Sequence, residues 1–144
     1  MQPDITPAAS ADLPAIVDLL AASKLPRASI EDHVASTLVA RHNAAVVGTA
    51  ALELYGDAAL LRSVAVATPL RGRGLGVALT AAALDLARRR GVRTVYLLTE
   101  TAAGFFPKFG FTAITRAQVE PVVLKSLEFT TACPQSALVM VKQL

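Results

Sequence analysis

The residues with the clearest chemical potential form a short loop at positions 71–76, which reads Arg-Gly-Arg-Gly-Leu-Gly. Glycine at every second position lets the backbone turn tightly and approach a ligand closely. The Ala/Leu-rich segment that follows has the pattern of an amphipathic helix. The first N–H groups of a helix lack internal partners and its dipole is positive at that end, so phosphate oxygens bind well there. The loop therefore predicts a site for a phosphorylated cofactor.

The spacing of the glycines narrows the choice of cofactor. A dinucleotide-binding loop reads Gly-x-Gly-x-x-Gly and has an acidic residue about 20 positions further on. Here the third glycine comes one position early, and Val95 or Tyr96 lies at about that distance. A P-loop ends in Gly-Lys-Ser/Thr, whereas this loop ends in Gly76-Val77. The spacing therefore excludes both of these nucleotide-binding loops. A glycine-rich turn without a ligand stays open as the alternative.

Composition indicates a globular protein, and residues 1–144 are expected to form a single domain, because 53% of them are apolar and 17% are charged. No segment has the roughly 18 consecutive apolar residues of a membrane span. The early acidic residues Asp4 and Asp12 do not fit a signal peptide, so a cytoplasmic protein is expected. The net charge of +3 is too small to predict a nucleic-acid partner. Cys133 is the single cysteine, which excludes an intrachain disulfide or a thiolate metal cluster, and no metal is expected.

The hydrophobic pattern predicts the elements that position the loop. Gly56-Asp57 is a two-residue turn signal, and the helix after the loop lies between two apolar strands, which is typical of a βαβ unit. The fold class is therefore α/β, with a mixed, mostly antiparallel twisted sheet flanked by helices. The predicted strands are 5–7, 38–41, 45–55, 58–66, 92–99, 112–116 and 137–142, and the predicted helices are 13–20, 30–35, 75–90, 102–108 and 117–132.

Two motifs and this order of elements resemble the GNAT superfamily of N-acetyltransferases. The acetyl-CoA loop of that family reads Gln/Arg-x-x-Gly-x-Gly/Ala, and positions 71–76 match it directly after a Val-Ala-Val strand. Members often carry Asn-x-x-Ala-x-x-x-Tyr-x-x-x-Gly-Phe further on. Here the same spacing reads Thr-x-x-Ala-x-x-x-Phe-x-x-x-Gly-Phe over positions 99–111. The resemblance covers nearly the whole chain and implies a GNAT-like acyl-CoA N-acyltransferase fold.

This resemblance implies a reaction and a cofactor site. GNAT enzymes let a substrate amine attack the thioester of acetyl-CoA directly. The backbone of the strand 64–66 would bind the pantetheine arm, the N–H groups of 72–76 would hold the pyrophosphate, and two arginines would supply counter-charges. The residues that the resemblance assigns to acetyl-CoA are Val64, Ala65, Val66, Arg71, Gly72, Arg73, Gly74, Leu75, Gly76, Thr99 and Phe106.

Acetyl transfer needs a base, because an alkyl ammonium must lose a proton before it can attack. Glu53 is the candidate, since it lies within the apolar strand 50–55, where desolvation is expected to raise its pKa into a useful range. Arg62 interrupts the next strand in the same way and is a candidate to clamp an anionic group of the substrate. The alternatives are a solvent-facing Glu53, or an ion pair of the two side chains across the hairpin.

The general acid stays open. Many relatives have a tyrosine that protonates the departing thiolate, and the corresponding residue here is Phe106. A thiol with a pKa of about 8.5 is a fair leaving group without a proton, so turnover does not require that hydroxyl. Tyr55, Tyr96, Thr99 or water are candidate replacements. A non-catalytic acyl-CoA-binding module is a further alternative, for which Phe106 is the one indication.

Several segments look closer to the N-acetyltransferases associated with arsenic resistance. They are 61–66, 97–102, 105–106 and the late Glu128-Phe129 with Cys133-Pro134. Relatives in that branch acetylate the α-amine of arsenic- or phosphorus-containing amino acids such as arsinothricin and phosphinothricin. The resemblance therefore implies a small zwitterion with an extra oxyanion as substrate, which suits Arg62 beside Glu53. Glu100, at the start of the predicted helix 102–108, is a second candidate for substrate contact.

Other acceptors and partners stay open at this stage. The same chemistry fits an ordinary amino acid, a polyamine or a protein N-terminus. A homodimer is possible, because GNAT proteins are often dimers and the last strand is apolar. Cys133 is expected to be a small buried residue, and one thiol is too few for tight capture of arsenite. His33 and His42 are expected to be surface or turn residues and not ligands.

Overall fold

The computed structural model describes residues 3–126, 128–129 and 137–144. Within them, seven strands form one sheet in the order β1-β2-β3-β4-β5-β7-β6, and two α-helices flank it. The predicted mixed α/β fold is confirmed. The strands are β1 Asp4–Pro7, β2 Thr37–His42, β3 Ala45–Tyr55, β4 Ala58–Val66, β5 Thr94–Thr99, β6 Thr112–Ile114 and β7 Leu138–Gln143, and the helices are α1 Leu13–Ala22 and α2 Leu75–Arg89.

Tight turns produce the antiparallel half of the sheet. β2 and β3 are joined by Asn43 and Ala44, both with positive φ (52° and 66°), the geometry that suits the right-handed twist of a hairpin. β3 and β4 are joined by the predicted turn at Gly56-Asp57, in which Gly56 has φ +69°. Because glycine tolerates positive φ without strain, this turn sets the register that places Glu53 opposite Leu60.

The βαβ unit is also as predicted. β4 and β5 are parallel, and α2 connects them. The two strands pair only over their first residues, where Ala58–Leu60 lie beside Thr94–Tyr96. Beyond Leu60, β4 has no partner on β5, and the strands diverge. The divergence opens a gap in the sheet at the end that leads into the glycine loop.

A β-bulge marks the start of the unpaired part of β4. Thr49 pairs with Ala65 and Ala51 pairs with Arg62, so Ser63 and Val64 together lie opposite a single residue of β3. Ser63 has φ +59°, a left-handed conformation that is strained for a residue other than glycine. The bulge bends β4 where it leaves β5.

Different helices cover the two faces of the sheet. α2 packs Leu79 against Ala50, and α1 packs Ile16 against Ala51, because successive strand residues point to opposite faces. A further apolar cluster covers the α1 face from the other end, built from Leu60, Tyr96, Val119, Val123 and Phe129 among others. Among the described residues, no helix has the length and apolar character needed to span a membrane.

Two predicted helices are wrong. Positions 102–108 contain only the 3-10 turn Phe106–Phe109, because Gly104 is flexible and Pro107 lacks an N–H donor. As far as the structure describes it, the predicted helix 117–132 is not continuous and contains the short 3-10 turns Arg116–Gln118 and Val123–Lys125 and a π-helical stretch at 128–129. Pro121 lies between these turns and interrupts a continuous helix. Positions 127 and 130–132 of that prediction lie outside the described residues, as does Cys133.

Candidate functional site

A cavity of about 850 Å³ lies where β4 and β5 diverge. This volume is within the usual range for small-molecule sites. The unpaired half of β4 forms one wall, and the end of β5 with its following turn forms the other. Its described lining residues are Ser23, Lys24, Leu25, Pro26, Leu61, Arg62, Ser63, Val64, Ala65, Val66, Arg71, Gly76, Leu97, Leu98, Thr99, Glu100, Thr101, Ala102, Gly104, Phe105, Phe106, Glu128 and Ala137.

The glycine loop has the geometry that a pyrophosphate requires. Gly72 and Gly74 adopt φ +79° and +83°, and a Cβ at either position would meet no described atom within 4 Å. α2 begins at Leu75, and no side chain of the described residues caps it, so its first N–H groups are open to a ligand. The loop residues 71–74 are exposed. The residues present therefore fit an anionic cofactor whose phosphates sit at the start of a 15-residue helix.

Arg71 connects this loop to the cavity wall. Its Nε donates to the carbonyl oxygen of Val66 at 3.0 Å, and its Nη2 donates to Oγ of Ser23 at 3.1 Å. The guanidinium thus joins the end of β4 to the end of α1. Between these anchors, the edge of β4 that faces away from β3 lacks a neighbouring strand, so an extended ligand can lie along 64–66.

Arg62 lies at the floor of the cavity and is only 3% exposed. Nη1 donates to Oε2 of Glu53 at 2.9 Å, to the carbonyl oxygen of Ala28 at 2.8 Å and to Oγ of Ser29 at 3.3 Å. Nη2 donates to the carbonyl oxygen of Pro26 at 3.2 Å, and Nε to the neighbouring serine hydroxyl at 3.0 Å. Arg62 therefore fastens the segment after α1 to the sheet.

Glu53 faces the same polar cluster and is 1% exposed. Oε1 accepts a hydrogen bond from the hydroxyl of Tyr55, and Oε2 accepts one from Arg62. Glu53 is not among the described residues that line the cavity. The pair with Arg62 that the sequence left as an alternative is therefore the arrangement observed. His33 is half-buried, and its Nε2 lies 3.9 Å from Oε2 of Glu53.

The expected rise in the pKa of Glu53 is wrong. Burial by itself pushes this pKa up, but hydrogen bonds with the side chains of Ser126, Tyr55 and Arg62 outweigh it, and the pKa lies below its usual value. Glu53 is thus held as a carboxylate. Its role as the base stays a prediction, now without the raised pKa that suggested it.

Of the side chains named as replacements for the family tyrosine, only Thr99 lines the cavity. Burial and the carboxylate of Glu53 raise the pKa of Tyr55 to about 12. The Tyr96 hydroxyl donates to Glu120 at 2.9 Å, and burial, followed by that hydrogen bond, raises the pKa of Tyr96. Thr99 Oγ1 accepts the N–H of Ala102 at 2.9 Å.

Two phenylalanines form the apolar part of the cavity wall. Phe106 packs edge-to-face against Phe105, with ring centroids 5.1 Å apart. A Cβ on Gly76 would lie 3.7 Å from the Phe105 ring, so this ring covers the first turn of α2. Phe106, which stands at the position of the family tyrosine, therefore packs against Phe105, and Phe105 is the ring next to the glycine loop.

Sequence reasoning missed Glu128 as a site residue and named it only within a segment that resembles one branch of the family. This carboxylate lines the cavity, is 5% exposed, and has Oε2 at 3.8 Å from Nη2 of Arg62. A glutamate beside the apolar Phe129 was the available signal. The prediction of a helix over 117–132 did not say whether Glu128 faces a cavity, so the sequence did not single this residue out.

Glu100 also lines the cavity and is exposed. Over the described ranges, no group of three or more His, Cys, Asp or Glu residues could hold a metal ion.

The family model for the acetyltransferase (GNAT) domain matches residues 33–113, which is more than half of the chain. The protein therefore belongs to the GNAT acetyltransferases. It is an N-acetyltransferase, and acetyl-CoA is its acetyl donor. Among curated proteins, none matches the sequence significantly.

Solved structures share the fold over the full chain. Rv2747 from Mycobacterium tuberculosis, in complex with CoA and the ligand designated NLQ, is 28% identical with a TM-score of 0.83, covering 99% of each chain. N-acetylglutamate synthase from Neisseria gonorrhoeae, complexed with coenzyme A and N-acetyl-glutamate, is 23% identical with a TM-score of 0.84. It matches 98% of this chain, which spans 35% of that protein. Ard1 from Thermoplasma volcanium is 20% identical, covers 100% and 99% of the two chains, and has a TM-score of 0.76.

Proposed function

We propose that this protein acetylates the α-amine of a small amino acid that carries a second acidic group, in particular an arsenic- or phosphorus-containing one. The observation that carries the proposal is the charge pattern of the cavity wall. Two carboxylates, Glu100 and Glu128, and two basic residues, Lys24 and Arg62, line one cavity. A zwitterion with an additional oxyanion has charges that match both sets.

The donor side of the proposal rests on the backbone. Acetyl-CoA supplies the acetyl group as an activated thioester. The N–H groups of 72–76 are placed to receive the pyrophosphate, with Arg71 and Arg73 as counter-charges. The open edge of 64–66 is placed to receive the pantetheine arm, and Thr99 and Phe106 are the proposed neighbours of the thioester.

The acceptor class has two further supports. The structure of the Neisseria synthase contains N-acetyl-glutamate, an α-N-acetylated amino acid with a second carboxylate. The segments 61–66 and 97–102, which resemble the arsenic-resistance branch, form the two walls of the cavity. Arg62 remains a candidate for contact with the acidic group, although protein atoms accept hydrogen bonds from all three of its nitrogens. A cytoplasmic location and a homodimer stay predictions.

A thiol-release assay with acetyl-CoA over a panel of amines tests the proposal. The panel contains phosphinothricin, glutamate, glutamine, spermidine and a peptide with a free N-terminus. We expect phosphinothricin to have the highest kcat/KM. Turnover of only spermidine or the peptide would contradict the proposed acceptor and assign the enzyme to polyamines or protein N-termini. Binding of coenzyme A without turnover of any amine would leave an acyl-CoA-binding module.

A matched pair of glycine variants tests the donor site separately. Gly74→Val and Gly56→Val place the same side chain at positive φ in open space, so both cost similar backbone strain. Only Gly74 lies in the cofactor loop. We expect Gly74→Val to weaken binding of coenzyme A by about tenfold or more and Gly56→Val to leave it unchanged. Equal affinity of the two variants for coenzyme A would show that the loop does not bind the cofactor.

A further inference from the structure

We propose that Glu128 is the catalytic residue that binds the substrate ammonium group and takes its proton. The proposal rests on the proposed function, since it requires an amine acceptor. Its geometric basis is that Glu128 lies on the cavity wall together with Thr99 and the open strand edge 64–66. A carboxylate there is within the space that an acceptor amine must occupy to meet the acetyl group.

The two carboxylates beside Arg62 differ in what surrounds them. Glu53 lies 2.9 Å from Arg62, also receives the Tyr55 hydroxyl, and is not part of the described cavity wall. Glu128 lies 3.8 Å from Arg62 and is part of that wall. An acceptor in the cavity can therefore contact Glu128, whereas Glu53 is not part of the described lining.

The charge of the cluster favours a cation in the cavity. Two carboxylates share one guanidinium, so the group carries a net negative charge when both acids are ionised. Because Glu53, Arg62 and Glu128 are all buried, this charge attracts an ammonium group more strongly than it would in solution. The other charged and titratable side chains around it are Lys24, Arg71 and Glu100 on the cavity wall, and His33 and Tyr55 beside Glu53.

The proposed step moves one proton from the substrate to Glu128. The Glu128 carboxylate accepts one proton from the –NH₃⁺ group and becomes a carboxylic acid, while the substrate becomes a neutral amine. The amine nitrogen then has a free lone pair and is the nucleophile of acetyl transfer. Glu128 returns its proton to solvent when the product leaves. Arg62 acts as a positioning residue, because its Nη1 donates to Oε2 of Glu53 and its Nη2 lies 3.8 Å from Oε2 of Glu128.

A binding cycle on the full chain with coenzyme A present tests this assignment. Wild type and Glu128→Gln are titrated calorimetrically with phosphinothricin and with its deamino analogue, which keeps both acidic groups. We expect Glu128→Gln to weaken phosphinothricin binding by about 10- to 100-fold and to leave the analogue unchanged. An equal loss for both ligands would overturn the proposal, because it would show a general disturbance of the cavity.

Kinetics give a second readout. We expect Glu128→Gln to lower kcat/KM by about 10²- to 10⁴-fold and to abolish the acid-side inflection of its pH profile. Glu128→Asp, which keeps the carboxylate, should retain that inflection at reduced rate. The exposed Glu31→Gln, with the same charge change outside the cavity, should match wild type.

The outcomes separate this proposal from the proposed function. If wild type acetylates phosphinothricin and Glu128→Gln keeps the wild-type rate and pH profile, the assignment of Glu128 fails alone. If wild type binds coenzyme A and acetylates no amine, the proposed function fails and Glu128 fails with it. If Glu128→Gln does not fold, the binding cycle and pH profile are measured on Glu128→Asp. A wild-type kcat/KM for that variant would overturn the proposal, because the shorter side chain is expected to keep the inflection of the pH profile but to lower the rate.

Discussion

Arg62 divides its surroundings into two regions with opposite character. On the β3 side, Glu53 and Tyr55 form a closed cluster in which each polar group has a partner inside the protein. On the other side, Glu128 and Thr99 border an open cavity. Both sides contain a buried glutamate near the same guanidinium, at 2.9 Å and 3.8 Å. The closed side stabilises the fold, and we assign the open side to the substrate.

The difference shows why a charged residue in an apolar strand is an ambiguous signal. Burial of a carboxylate demands partners, but those partners can be protein donors or a ligand. At Glu53 the sheet supplies the donors, so the side chain is held ionised. Glu128 also has the Arg62 guanidinium nearby, at 3.8 Å, but its carboxylate lines the cavity as well. Both glutamates are buried, so contact with the cavity, and not burial, is what marks Glu128 as the candidate base.

The largest expected effect comes from removing the group that both sides share. Arg62→Leu leaves Glu53 as a buried charge without its ion-pair partner, and we expect the free energy of unfolding to fall by about 3–5 kcal/mol. Urea denaturation followed by circular dichroism measures this loss. Arg62→Lys keeps the charge but not the hydrogen-bond geometry, so its free energy of unfolding should lie between those of wild type and Arg62→Leu. A loss below about 1 kcal/mol would contradict a structural role for the closed side.

Glu53→Gln should have the next largest effect on stability. Replacing the carboxylate with an amide removes the charged acceptor of the Arg62 guanidinium and the Tyr55 hydroxyl. We expect this loss to lower the free energy of unfolding by about 1–3 kcal/mol at pH 7. If Glu53 is structural, the acid-side inflection of kcat/KM should stay at its wild-type pH even where the rate falls. Movement of that inflection in Glu53→Gln, but not in Glu128→Gln, would return the base assignment to Glu53 and reverse the roles of the two regions.

Acid titration of stability sharpens the same comparison. Because the pKa of Glu53 is lower in the folded protein, its contribution is complete above the unfolded-state pKa of about 4.3 and is lost as the pH falls through the folded value. We expect the free energy of unfolding of wild type to decline below about pH 4.3, and Glu53→Gln to decline less steeply. Chemical denaturation between pH 7 and pH 3 measures both slopes. Parallel slopes would mean that Glu53 is not held ionised by the fold.

Tyr55→Phe removes one donor from the closed side and should cost about 1 kcal/mol. The loss of that hydrogen bond should also make the acid-induced decline smaller and end it at a higher pH, since Tyr55 helps to lower the pKa of Glu53 in the folded protein. Coenzyme A affinity should not change, because Tyr55 is outside the described cavity wall. A fall in that affinity would indicate that the two regions are coupled.

The smallest effect is expected at Ser63, where β4 passes from one region to the other. Ser63→Ala and Ser63→Gly both remove the hydroxyl that accepts from Nε of Arg62. Only glycine relieves the left-handed backbone at φ +59°. We therefore expect the glycine variant to be more stable than the alanine variant by about 1 kcal/mol in thermal unfolding. Equal stabilities would show that the bulge stores no strain.

Sequence predicted the features that depend on local patterns. The turn at Gly56-Asp57 and the helix after the glycine loop follow from residue types next to one another, and the structure confirms both. A continuous helix at 117–132 is wrong because Pro121 lacks the N–H donor that the helix interior requires. The pKa of Glu53 was wrong because sequence reveals the cost of burying a charge, whereas the donors that offset it come from elements distant in the chain.

The candidate site was predictable from the sequence in one part and not in another. The loop 71–76 carries its function in glycine spacing, which is visible in sequence, and the structure places it beside the cavity. The position of Glu128 on the cavity wall depends on contacts with parts of the chain that are distant in sequence, such as Arg62. A local pattern does not reveal such contacts, so the residue could be noticed but not placed.

The proposed donor side of the cavity relies mainly on main-chain groups of the glycine loop and the open edge of β4, whereas the proposed acceptor side relies on side chains. Main-chain groups are the same whatever residue carries them, so mutation alters them little provided that the φ angles at Gly72 and Gly74 stay accessible. Side chains such as Glu100 and Glu128 can be exchanged one at a time. Descendants of such a protein can therefore acquire new acceptors through single substitutions while inheriting the acetyl donor unchanged.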